Sequence, residues 1–218
     1  MPVAVAFCPC PPLLVPELSA GAAAELDPLR SACGAAVGAL LAAGASCVTV
    51  LAGGAEPEEW GPDAGGSLRR HGVDVRAGGA GTTLPSALTI GAWLLDRSGW
   101  TGPRRYVAVR DEVPAGDVRE AWLVVGDGSA SRAATSPWPF DPRASGFDAA
   151  VARALAGGDA AALAALDREL AEQLGCGGAR VWRAVGAALE GRGVEPELVA
   201  DEAPYGVGYL VARWTVPA

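Results

Sequence analysis

The sequence predicts one α/β domain spanning residues 1–218, built on a central mostly parallel or mixed sheet with helices on both faces. Three observations support this expectation. Apolar runs of strand length alternate with segments of helical period through most of the chain, and two further strand-like runs close it. Half of the 218 residues are hydrophobic, enough for a single sizeable core. No internal repeat and no linker-like stretch divides the chain.

Val3–Phe7 reads as a fully buried strand, stopped by the proline run Pro9–Pro12. Pro16 opens a helix and Pro28 restarts it; Leu29, Cys33, Val37, Leu40 and Leu41 then share one face until Gly44. Cys47–Leu51 is the second strand. Gly53–Gly66, with Pro57 and Pro62, reads as an irregular loop, and Val73–Val75 as a short strand before the turn Gly78–Gly81. Thr83 is placed to cap a helix over Pro85–Arg97, with Pro85 in its first turn. Strands at Tyr106–Val109 and Trp122–Val125 flank Pro114-Ala-Gly116, and a polar, proline-rich loop follows at Gly126–Gly146. Helices are expected at Phe147–Ala156, Asp159–Leu174 and Gly178–Glu190, the second with Leu163, Leu166, Leu170 and Leu174 as its stripe. Leu198–Ala200 and Val207–Val216, joined through Pro204-Tyr205-Gly206, read as a terminal strand pair. In open sheets of this class ligands bind beyond the carboxyl ends of the strands. That rule gathers Cys8–Pro12, Ala52–Ala55 and Gly126–Arg132 around one cleft.

Composition excludes several chemistries. The 17 basic residues are all Arg, against 25 acidic residues, for a net charge of −8 that disfavours nucleic acid and anionic membrane surfaces as partners. Without Lys there is no Schiff base for pyridoxal chemistry and no phosphate-loop lysine. A lone His71 cannot build a three-His zinc site or a two-His, one-carboxylate iron site within one chain. No stretch reaches the roughly 20 apolar residues of a membrane span, and Met1–Phe7 lacks the basic start of a secretory signal. The five scattered cysteines then read as reduced thiols, and the expected compartment is the cytoplasm.

Several of these strand ends carry a family likeness. Cys8-Pro-Cys-Pro-Pro-Leu-Leu-Val-Pro16 resembles the His-x-Pro opening of the catalytic chain of the class III extradiol ring-cleavage dioxygenases. Gly126-Asp-Gly-Ser-Ala-Ser-Arg132 is similar to that family's glycine-rich loop ending in Ser-His. Phe147-Asp148, Trp182 and Gly186-Ala-Ala-Leu189 resemble its C-terminal half, so the likeness runs along nearly the whole chain. The resemblance implies a single α/β domain, a mononuclear iron(II) centre that opens catechol-type rings with dioxygen, and assembly as a homo-oligomer or with a small accessory chain.

Residue by residue, the resemblance assigns the first metal-binding His to Cys10, the second to Gly54, the acid–base His to Arg132 and the ligand carboxylate to Gly178. Ferrous ring cleavage needs two neutral imidazoles and a carboxylate on one face, with a further base for the substrate's second proton. Cys, Gly, Arg and Gly cannot supply that set. The expectation is therefore a dioxygenase-like chain without iron or other metal cofactor, serving as a small-molecule binding or interaction module. The rival expectation is an oxidoreductase that uses Cys10 with nearby carboxylates on another metal, or one completed by a partner chain's ligands. A third is a metal-free hydrolase with Ser129 or Cys10 as nucleophile, for which His71 is badly placed as base.

The residues themselves admit two readings each. Cys8 and Cys10, two apart in extended backbone, share a face and with Asp201 or Glu202 could hold a soft metal, but a single Cys-x-Cys pair also fits a core residue and a vacated ligand position. Asp127, Ser129, Ser131 and Arg132 could grip a small anionic molecule, or form a turn with Arg132 in water. Asp201, Glu202 and Tyr205 could add acid–base groups, although neighbours on a strand point to opposite faces. Gly78–Thr83 lacks the Lys of a phosphate loop and reads as a plain turn. Trp93, Trp122, Trp182 and Trp214 read as core, and His71 as a solvated residue at the end of a helix or turn.

Overall fold

A computed structural model describes residues 2–81, 83–116 and 119–217, apart from the side chains of Ala20 and Ala22. Runs rich in β-branched and other apolar residues give β1 (Pro2–Cys8), β2 (Cys47–Gly53), β6 (Arg104–Val109), β7 (Glu120–Val125) and β9 (Tyr209–Thr215), joined by the short or polar strands β3 (Glu58–Trp60), β4 (Gly65–Ser67), β5 (Arg76–Gly78) and β8 (Glu195–Glu202). Seven of them form one sheet in the order β3-β6-β2-β7-β1-β9-β8. The central β6, β2, β7 and β1 run parallel, while β3, β9 and β8 pair antiparallel at the two sides. The domain is thus α/β on a mixed sheet.

Helices α1 (Pro16–Ser19), α2 (Asp27–Ala42) and α3 (Ser86–Arg97) precede β6, and α4 (Ala144–Gly157), α5 (Ala160–Ala164), α6 (Arg168–Gln173) and α7 (Ala179–Leu189) follow β7. Because successive strand residues point to opposite faces, Ala4, Ala6 and Cys8 of β1 join the core under α2 and α3. Val5 and Phe7 join the other core, under α4 to α7. There Phe7 meets Trp214 edge-on at 5.0 Å, and the buried Trp214 indole donates to the Leu155 carbonyl at 2.8 Å. Trp93, Trp122 and Trp182 are buried as well. Among the described residues no helix is long and apolar enough to cross a membrane.

Four local expectations are corrected. Gly53–Gly66 is not wholly irregular, since β3 adds an edge to β6 and β4 begins a two-stranded ribbon with β5. The strand expected at Val73–Val75 forms at Arg76–Gly78 instead; the valines pack half-buried against the core, and Gly66 lets the ribbon lie against Thr89 of α3, where a Cβ would overlap that side chain. Thr83 does not cap α3: the cap residue is Pro85 with no side-chain bond, and Thr89 Oγ1 donates back to the Pro85 carbonyl at 2.9 Å. The helix expected over Asp159–Leu174 breaks into α5 and α6, because Asp159 and Asp167 each cap a new start, accepting from Ala162 N–H at 2.9 Å and Leu170 N–H at 3.0 Å.

Candidate functional site

The parallel strands end level with one another. Cys8 and Ala52 both stand opposite Val125, and Gly53 stands opposite Val109. The segments leaving these ends, Pro9–Cys10, Gly54–Ala55, Arg110–Asp111 and Gly126–Asp127, therefore share one edge, where an open parallel sheet presents ligand sites.

Asp127 knits that edge together. Its Oδ1 accepts from the Cys10 backbone N–H at 2.7 Å, and its carbonyl accepts from Gly178 N–H at 2.7 Å. Burial pushes its carboxyl up to about 6, against the opposing pull of the Cys10 N–H. Burial, and then the Asp127 charge, raises the half-buried Cys10 thiol well above the ordinary range. Cys8 is buried beside Cys33 of α2; the hydrogen bond between the two thiols, then burial, keeps it protonated. Neither thiol is an activated nucleophile.

Beyond Asp127 the chain binds itself tightly. Ser129 is fully buried and donates its N–H at 2.8 Å and its hydroxyl at 2.7 Å to the two carboxylate oxygens of Asp148 on α4. Burial raises the Asp148 carboxyl, while the Ser129 donors and Arg132 resist the rise. Ser131 is buried too, its hydroxyl donating to the Leu174 carbonyl at 3.1 Å. Cys8, Ser129 and Ser131 consequently offer a ligand no surface, and of their two readings the core residue and the self-bonded turn are the ones found. The physical cause is common to all three: strand and loop backbones bury short side chains that the sequence pattern leaves undecided.

Arg132 lies between two acids, 3.7 Å from Asp148 Oδ2 and 4.0 Å from Asp201 Oδ1. Its charge is compensated by these two acids. Tyr205 turns away and donates to Glu25 Oε2 at 3.0 Å, and Glu202 stands half-buried opposite Tyr209 in the β8–β9 pair. His71 lies apart, exposed in a hollow with Arg69, Arg70 and Arg76, and its Nε2 is 3.4 Å from Ser86 Oγ at the start of α3.

Two of the positions assigned to metal ligands are closed by packing. A Cβ at Gly54 would lie 2.8 Å from Ala108 Cβ and 2.9 Å from the Glu56 carbonyl. A Cβ at Gly178 would overlap the Trp182 ring, and one at Gly126 would lie 2.5 Å from Gly178 Cα. The Cβ that an imidazole or a carboxylate would require meets Ala108 and backbone at Gly54 and the Trp182 indole at Gly178. Gly54→His is therefore expected to lower the unfolding free energy by about 1–3 kcal/mol through overpacking, read from denaturant midpoints; an unchanged midpoint would show the position to be open.

Next to these closed positions a cleft of about 410 Å³ stays open between Gly53–Ala55, Arg110–Asp111 and the helices α6 and α7. Cys176 lines it, but burial raises that thiol to about 12, and its Sγ–H donates to the Asp127 carbonyl at 3.5 Å. Arg110, Arg168, Arg180 and Arg183 line it as well. These arginines escape a reading of motifs, and Asp148 is visible there only as part of the Phe147-Asp148 likeness, not as the partner of Ser129. Arg110 follows a buried strand directly, and Arg180 and Arg183 recur one turn apart on α7, which are the signals available in the sequence. Among the described residues no three His, Cys, Asp or Glu side chains are grouped to hold a metal ion. Compared with known proteins, the chain matches no family model and no curated sequence.

Proposed function

We propose that this chain is a non-catalytic, extradiol-dioxygenase-like protein, a binding module that keeps the α/β frame and a small-molecule cleft without the iron chemistry. One observation carries the reading. The positions assigned to the second imidazole and to the carboxylate are glycines whose side-chain space is already occupied, while a cleft persists beside them. The remaining groups do not fit ferrous iron either. Cys10 carries a protonated thiol, and Arg132 is a permanent cation between two acids, unable to take a substrate proton. The only imidazole belongs to His71, in a different hollow.

The test is anaerobic loading of the purified chain with iron(II), followed by catechol and dioxygen. The expected result is oxygen uptake no greater than that of a protein-free control. Stoichiometric iron together with ring-opened product, both abolished by Cys10→Ser, would overturn the proposal.

A further inference from the structure

Four arginines line one hollow in a chain whose net charge is −8. Arg110 leaves β6, Arg168 opens α6, and Arg180 and Arg183 stand on α7. The acids lining the same hollow are Asp111 and Glu172. Asp111 is shared, 2.5 Å from Arg168 and 3.4 Å from Arg110, which also reaches Glu56 at 3.2 Å. Glu172 meets Arg180 only at 3.6 Å. Arg183 donates to the Leu166 carbonyl and, among the described residues, pairs with no carboxylate. Even with Glu56 counted, four cations face three acids. Each guanidinium carries five N–H donors in a fixed fork, so more donors converge here than the local carboxylates can use. The remaining wall is glycine backbone, the Cys176 thiol and the small apolar side chains of Ala55, Ala164, Ala171, Ala179 and Ala187.

We infer that this cleft takes small oxyanionic molecules, a carboxylate or phosphate on a compact body, held by Arg168, Arg180 and Arg183. The inference rests on the binding-module reading and names its ligand class. Arg132 is excluded from the role because two acids, Asp148 and Asp201, outnumber it. Bidentate Arg–oxyanion pairs supply the recognition, and the alanines accommodate the ligand's apolar part.

The test is calorimetric titration of the full chain with inorganic phosphate, benzoate and its neutral analogue benzyl alcohol. Phosphate or benzoate is expected to bind saturably and to weaken as salt rises, with benzyl alcohol at least about tenfold weaker. Arg168→Gln and Arg180→Gln, whose side chains are 51% and 31% exposed, should each reduce anion affinity about tenfold. Glu172→Gln removes a competing acid and should increase affinity, an outcome that misfolding cannot mimic. Anion binding unmoved by all three variants, or benzyl alcohol binding as tightly as benzoate, would overturn the inference. Binding of benzyl alcohol without either anion would reject the ligand class and keep the binding module, whereas iron-dependent oxygen uptake would reject the module itself.

Discussion

Asp148→Ala is expected to cost about 3–5 kcal/mol of stability, among the largest losses available from one side chain in this fold. The carboxylate is 1% exposed and is the acceptor for both the N–H and the hydroxyl of Ser129, itself 0% exposed. Truncation would strand two buried donors, each costing about 1–3 kcal/mol, and leave a void beneath the loop. Arg132 would also lose the nearer of its two acids. The backbone is shaped around this group: a Cβ at Gly208 would overlap Asp148 Oδ2, and one at Gly128 would lie 2.9 Å from Oδ1. Asp148 thus ties α4 to the loop after β7 and to the approach to β9. Asp148→Asn keeps an acceptor for the Ser129 N–H and can donate to its hydroxyl, so it should cost no more than about 1 kcal/mol. Urea unfolding of both variants is the measurement. Equal losses for Ala and Asn would show that charge, rather than hydrogen bonding, is what α4 contributes here.

Asp127→Asn is expected to stabilise the protein by about 1–3 kcal/mol at pH 7–8 and to flatten its stability profile between about pH 4 and 6. Burial lifts the Asp127 carboxyl from its ordinary 3.8 to about 6 in the folded chain. The folded state therefore binds this proton more tightly than the unfolded state does. Stability from this group is present at low pH, declines as pH rises from about 4, and is lost above about 6. A displacement of this size corresponds to about 3 kcal/mol in full. Asp148 shifts in the same direction, also through burial. Asp74 and Asp141 shift oppositely, held low first by hydrogen bonds from Arg69 and Arg143; both are at the surface and act below this window. Asparagine retains the acceptor for Cys10 N–H while removing the buried charge. Urea midpoints at pH 4.5, 6 and 7.5 provide the check. A variant with the wild-type pH slope would place the titration elsewhere.

The architecture was legible because long-range pattern and local chemistry agree. Val3–Phe7, Cys47–Leu51 and Trp122–Val125 are apolar runs of strand length, and all three are found as strands in the middle of the sheet. The terminal pair was legible from Pro204-Tyr205-Gly206 between two strand-like runs, and it forms β8 and β9. Misreadings fell where a single side chain outweighs periodicity. Asp167 restarts a helix in the middle of a continuous leucine stripe, and Gly66 draws a ribbon onto α3. At the site, Asp127 and Arg132 were visible as residues following a strand, but not that one would be half-buried and bonded to the Cys10 N–H and the other compensated by two acids.

Counting imidazoles needs no coordinates: one His and no Lys remove whole reaction classes whatever the fold. Which charges stay uncompensated is a different kind of question, because it depends on distances between residues far apart in the chain. Folding places Asp148 and Asp201 beside Arg132 and leaves Arg183 facing a carbonyl, and Coulomb energy follows separation rather than sequence order. The residue inventory limits the chemistry, and the packing of α6 and α7 beside the sheet edge decides where a cleft stays open.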